Sequence, residues 1–240
     1  MQENKNNLAA LGFILGASLI LSTAIGAYSF YKIRTSDYIS TTGSAKKAVV
    51  SDNVKWTSTI TRVVKLATVK TGYAQMDADL KEVKAFLAAS GIPETNINIA
   101  PIYMQEIYDN SGALDKNYNL VQNIEVRSGD VNKIAGLAKD TSLVVGKGIL
   151  FATQSLEYYY SKLPEARIEL LDAAVADAKA RATKLAVAGG KRIGALKSAS
   201  SGVVQVLSPN SAEVTDYGSY NTSTIEKEIM ITVKASFQIR

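Results

Sequence analysis

From Leu8 to Phe30 the chain runs without a charged residue, and after that its hydrophobic positions are spaced quite differently. At about 1.5 Å per residue a helix over this stretch reaches ~35 Å, enough to cross a bilayer. Tyr28, Tyr31, Lys32 and Arg34 supply the aromatic and basic edge expected at a membrane interface. The pattern therefore predicts a short polar amino-terminal piece (1–7), a transmembrane anchor from Leu8 to Tyr31, a linker (32–38) and an extracytoplasmic domain over 39–240. A cleaved signal peptide is the alternative, with Ala24-Ile25-Gly26 as small residues at a cut; a signal's apolar core is usually only ~7–15 residues, which favours the uncleaved anchor. Lys5 on one side and Lys32 with Arg34 on the other leave the orientation open by charge alone.

Beyond the linker, apolar and polar residues alternate. Ile39 to Val50 reads as a first strand, and Val54, Trp56, Ser58 and Ile60 form the inward side of a second. Met76, Leu80, Val83 and Leu87 then recur at helical spacing, and Gly91 with Pro93 closes that helix. Ile97 to Tyr108 is strand-like, with Pro101 pointing to an edge or a bulge. Asp109 to Lys116 reads as a hairpin loop, after which Tyr118, Leu120, Gln122, Ile124 and Val126 alternate with Asn119, Val121, Asn123, Glu125 and Arg127 in the next strand. A short helix follows from Val131 to Lys139 with Asp130 as its N-cap, then a strand from Ile149 to Tyr160. Between Val54 and Tyr160 the order is thus β-α-β-β-α-β, the split pattern of ferredoxin-like sheets within an α+β fold.

The longest regular stretch lies further on. Ile168, Leu171, Val175, Ala178, Ala182, Leu185 and Gly189 recur at steps of three and four, predicting a long Ala-rich helix with that side buried. Pro164 suits its first turn and Gly189-Gly190 its stop; acidic residues lead and basic ones follow, which complements the helix dipole. Lys197 to Leu207 reads as one strand. Ser208 to Thr224, without apolar period, reads as a mobile surface loop. Alternation from Ile225 through Lys227 to Ile239 predicts a final strand long enough to run through more than one sheet or to pair with a neighbouring subunit.

Composition changes this picture mainly by exclusion. With no Cys and no His, the chain has no disulfide, thiolate nucleophile, Ser-His pair or zinc site of the usual kind. The formal charge of +5 is modest and spread along the chain, so nucleic-acid binding has little support. Asp77, Asp79 and Glu82 fall on what reads as the solvent side of the first soluble helix, and Asp172 and Asp177 form no better carboxylate pair. Gly146-Lys147-Gly148 and Gly189-Gly190-Lys191 lack the full spacing of a phosphate loop and read as turns. Tyr158, Tyr159 and Tyr160 are consecutive on a strand, so at most two share a surface. No catalytic, cofactor-binding or metal residue is assigned.

The order of residues resembles the SIMPL domain family of bacterial envelope proteins. The resemblance is carried by Ile39-Ser-Thr-Thr-Gly43, by Leu87-Ala-Ala-Ser-Gly-Ile92 followed by Asn96-Ile97, by Tyr118 to Val126 leading into Asp130, and by the Ala-rich helix ending in Leu185-Ala-Val-Ala-Gly189 with Ile193-Gly194. It implies an exported α+β domain, often oligomeric and sometimes ring-forming, linked to envelope or oxidative stress and without established catalytic residues. The expectation is a single-pass inner-membrane protein, non-enzymatic and self-assembling into a homo-oligomer. A periplasmic sensor of a ligand or partner, using the tyrosines and the loop, is the alternative.

Overall fold

The computed structural model describes residues 2–34, 37–108, 116–211 and 215–240. Most of the predicted hairpin loop (109–115 of 109–116), part of the linker (35–36), part of the later loop (212–214) and the side chains of Lys5, Lys32 and Arg34 lie outside the described residues. The chain forms helix α1 (Gln2–Arg34), strands β1 (Tyr38–Val50) and β2 (Asn53–Lys65), helix α2 (Val69–Ala89), and strands β3 (Ile97–Ile99), β4 (Tyr103–Glu106) and β5 (Asn117–Ser128). Helices α3 (Val131–Lys139) and α4 (Ser142–Val145), strand β6 (Leu150–Tyr159) and helix α5 (Leu163–Ala188) follow. The chain closes with β7 (Ile193–Ser201), β8 (Gln205–Leu207), β9 (Ser219–Tyr220) and β10 (Glu226–Ile239). This is a mixed α+β fold with two five-stranded sheets.

In α1, Leu11–Tyr31 is apolar, has a mean hydropathy of 1.8 and is wholly exposed, so it is long and apolar enough to cross a membrane. The chain forms two compact units, one of 1–45, 171–202 and 232–240, which includes α1, the other of 46–170 and 203–231; β1, α5 and β10 contribute residues to both.

The second unit holds the larger core. Its sheet has the order β3-β5-β2-β6, with β4 also on β5, and every pairing is antiparallel. Alternation builds it as expected: Val54, Trp56, Ser58 and Ile60 are buried on β2, and Leu120, Gln122, Ile124 and Val126 on β5. Met76, Val83 and Leu87 of α2 and Ile134 of α3 pack on this face. Trp56 meets Phe151 edge to face with ring centroids 6.0 Å apart. Its indole N–H donates to Thr153 Oγ1 (3.1 Å), whose hydroxyl donates in turn to the Ala138 carbonyl (3.0 Å), so the buried ring leaves no unsatisfied donor. Asp130 caps α3 by accepting from Lys133 N at 3.1 Å. The predicted strand from Ile97 to Tyr108 is broken into β3 and β4 around Pro101, which cannot donate to the ladder.

In the first unit the sheet is β1, β10 and β7, with β10 in the middle. Here the sequence reading of α5 needs correction. The buried stripe is Ala166, Leu170, Ala174, Ala178, Ala182 and Ala186, whereas Ile168 is 69% and Leu185 57% exposed, and Leu171 and Val175 are only partly buried. Ala178 and Ala182 are buried as expected, but the large apolar residues of the predicted side drew it off the true stripe, which is mostly alanine. A Cβ on Gly43 of β1 would stand 2.2 Å from the Ala174 carbonyl oxygen and 2.3 Å from Ala178 N, so strand and helix meet backbone to backbone. Thr41 Oγ1 donates to the Ala178 carbonyl (2.8 Å) and Ser44 N to Asp177 Oδ2 (2.9 Å) across the same contact.

Two other expectations are corrected. Lys197 to Leu207 is not one strand: it breaks at Gly202 into β7 and β8, both antiparallel to β10. The long final strand is not an open edge, because β1 lies on one side of it and β7 and β8 on the other.

Gly43→Ala is expected to destabilise the protein by at least ~2 kcal/mol, since no side chain can yield to the added methyl and backbone must move. Ile168→Ala is expected to cost less than ~0.5 kcal/mol. Urea unfolding of the two variants checks this; equal midpoints would place the contact elsewhere.

Candidate functional site

The carboxylates singled out in the sequence do not converge. Asp79 is buried rather than solvent-facing, because Arg62 holds it bidentately through Nε to Oδ2 (2.5 Å) and a terminal nitrogen to Oδ1 (2.7 Å). Glu82 pairs with Lys147 at 2.5 Å on the surface, and Asp77 is exposed. Asp177 accepts from Ser44 N and from Arg181 Nε (2.9 Å), and the backbone bond above all holds its carboxyl below the ordinary range. Asp172 is exposed. Among the described residues no group of acidic side chains is arranged to hold a metal ion. Gly146-Lys147-Gly148 and Gly189-Gly190-Lys191 are turns, with positive φ at Gly148 and Gly190.

A denser arrangement lies where β2, β5 and β6 run side by side in the second unit. Lys55 stands opposite Arg127 on one neighbour and Glu157 on the other. Lys55 Nζ meets Glu157 Oε2 at 2.9 Å, Arg127 Nε donates to Glu125 Oε1 at 2.7 Å, and Tyr159 Oη donates to Glu157 Oε2 at 2.5 Å. The Tyr159 bond first, then Lys55, pulls the Glu157 carboxyl below its usual range, and the same bond to Glu157 pushes the Tyr159 phenol up. Asn53, Lys55, Arg127 and Tyr159 line an open depression of about 310 Å³. Its charges are matched in pairs, so the depression offers polar recognition and no activated nucleophile. The consecutive tyrosines separate as strand geometry requires: Tyr158 is buried, while Tyr159 packs on Tyr220 with centroids 5.8 Å apart.

The segment expected to be a mobile loop is instead docked, outside residues 212–214. β9 pairs in parallel with β8, Gln205 Nε2 donates to the Thr215 carbonyl (2.5 Å), Tyr158 N to the Thr222 carbonyl (2.8 Å) and Tyr160 N to Tyr220 Oη (2.8 Å). Its centre is Lys227, only 1% exposed, which donates to the carbonyls of Asn221 (2.5 Å) and Thr224 (2.8 Å) and lies 5.6 Å from the Tyr220 ring centre. Among the described residues no carboxylate pairs with it, and burial pushes its pKa down to about 8. The signal was present in the sequence, since Lys227 occupies the inward register of β10 between Ile225 and Ile229.

An amine at about 8 in the folded chain and 10.5 when unfolded binds more protons unfolded between those values. Stability therefore rises as pH climbs through that window, by a few kcal/mol at most, as the cost of the buried charge is lifted. In Lys227→Met that rise is expected to vanish. Denaturant titrations of both proteins from pH 7 to pH 11 check it, and parallel curves would mean that Lys227 is not desolvated.

These observations give an exposed apolar helix, a two-sheet α+β region and a polar depression whose charges are matched in pairs. No curated protein matches the chain. The family model described as SIMPL, Protein of unknown function (DUF541), matches residues 39–239, nearly all that follows α1. The match takes in β1 from its second residue, the Ala-rich helix and the final strand, and the chain belongs to the SIMPL family.

Proposed function

We propose that this chain is a non-enzymatic scaffold of the cell envelope, held in the inner membrane by α1 with residues 39–240 on the extracytoplasmic side, and self-assembling into a homo-oligomer. Family membership and the absence of a convergent acidic cluster among the described residues are consistent with a role other than catalysis. The order β3-β5-β2-β6 supports a ferredoxin-like arrangement for the second unit.

The observation that carries self-assembly is β7. Its nine residues pair only with β10 among the described strands, and seven of them, from Ala195 to Ser201, are exposed. An uncovered strand edge is a template for another strand. The opposite edge, β1, is guarded where Asp177 occupies Ser44 N. The contact expected of the final strand thus passes to β7, and small Ser198, Ala199, Ser200 and Ser201 let a second backbone approach. Pairing of β7 with β7 of another copy about a twofold axis satisfies both edges at once.

The sensor reading is favoured by the depression at Asn53, Lys55, Arg127 and Tyr159, whose volume of about 310 Å³ suits a small polar ligand.

Because Gly202 N donates to the Thr232 carbonyl, strand alternation turns the Ala199 N–H away from β10. Ala199→Pro removes that outward donor and leaves the inner ladder in place. Light scattering of full-length protein in detergent is expected to show a multimer for the parent and one chain per micelle for the variant, at an unchanged melting temperature. A multimer of unchanged mass would move the contact away from β7, and a monomeric parent would defeat the scaffold reading and leave the sensor.

A further inference from the structure

Only Thr35, Ser36 and Asp37 separate the end of α1 from the start of β1. Four Cα steps reach at most ~14 Å, and the three helical residues beyond Tyr31 add ~5 Å. The start of β1 therefore stands within roughly 20 Å of the hydrocarbon edge, close to the headgroup layer. The same end of the sheet carries the turn after α5 and the end of β10. Ile239 N donates to the Asp37 carbonyl (3.2 Å), and Lys191 N donates to the Ala186 carbonyl (2.8 Å) to close the turn.

The charge there is one-sided. Lys191, Arg192 and Arg240 stand together at this end, against the single side-chain carboxylate of Asp37 among the described residues there. Arg192 and Arg240 exchange both backbone hydrogen bonds at 2.8 Å, a directly opposed pair whose side chains leave the same face. Arg240 Nε lies 3.5 Å from where a Cβ on Gly194 would be, so the guanidinium group runs across β7 where glycine gives it room. Two like charges set opposite each other repel, and the nearby Asp37 is engaged by Lys191 Nζ at 3.2 Å. An anion between the arginines removes that repulsion. Leu185 and Val187, 57% and 64% exposed on the last turn of α5, supply apolar side chains beside the same turn.

We propose that this end of the first unit is a docking surface for anionic phospholipid, in which Arg192, Arg240 and the Lys191 turn bind headgroup phosphates while Leu185 and Val187 enter the interface. The anchor then fixes the domain's attitude to the bilayer as well as its location. The inference rests on α1 spanning the membrane, and it names the lipid class that the domain itself recognises.

The chain has no cysteine, so a single label can be placed cleanly. Full-length Ala188→Cys carries a fluorophore next to the turn, and Ala173→Cys, ~22 Å back along α5, carries the control. Each is reconstituted in nanodiscs of phosphatidylcholine alone or with phosphatidylglycerol, both containing a headgroup-linked quencher. Quenching at 188 is expected to exceed that at 173 only in anionic discs, and to fall with added salt. Arg192→Glu with Arg240→Glu should lower the docking equilibrium constant by at least about fivefold per arginine, while the two Arg→Lys changes should retain it. Equal quenching at 188 in the two lipids, or loss of quenching that the Lys variant shares, overturns the proposal. Should the Glu variant melt early, the salt dependence of the parent decides. Failure to enter nanodiscs at all would instead defeat the anchor reading.

Discussion

The first unit depends on one close approach, that of β1 to α5 at Gly43. A helix usually rests on a sheet through a layer of side chains that can adjust. Here the layer is missing: the alanines of the buried stripe present methyl groups, and the strand presents a glycine whose Cα faces helix backbone. The hydroxyl of Thr41 and the carboxylate of Asp177 fix the position along the helix by bonding to backbone on the opposite element. Close packing supplies dispersion, and the two polar bonds supply register. Asp177 also occupies a backbone donor on the outer side of β1, so the contact that seats the helix closes one point of the sheet's edge.

The second unit solves a different problem in a polar way. Gln205, Tyr220 and Lys227 tie an apolar-poor segment to β6 and β8 through carbonyls and hydroxyls rather than through a core. A buried ammonium with no carboxylate partner among the described residues is costly, and two carbonyls and an aromatic face surround it. Such a network is directional, so it holds the segment in a single path where hydrophobic packing would tolerate several.

Strands β2, β5 and β10 and helix α2 were legible in the sequence, because each buries one face and carries the matching period. The face of α5 was legible only at Ala178 and Ala182, because small size selects most of it, and exposed Ile168 and Leu185 outweigh alanines in any apolar count. The break at Gly202 was hidden as well: a Cβ there would stand 2.4 Å from Thr232 Oγ1, a constraint that exists only once β7 lies on β10. Asp79 looked solvated because its partner, Arg62, comes from a strand 17 residues earlier. The docked segment between β8 and β10 left no apolar trace because its anchors are polar. The polar depression likewise depends on register across three strands, which no local pattern reveals.

The position of β10 sets the timetable of folding. This strand follows every other in the sequence yet lies at the centre of its sheet, and Ser236 meets Ser40 across 196 intervening steps of chain. Among the described strands neither β1 nor β7 has a neighbour to pair with until β10 has been made, so closure of that sheet must wait for the last of them. Such non-local closure is slow and leaves backbone edges bare in the interval. The second unit can assemble β2 to β6 from a continuous stretch while it waits, so the chain emerges with one sheet built and the other still open.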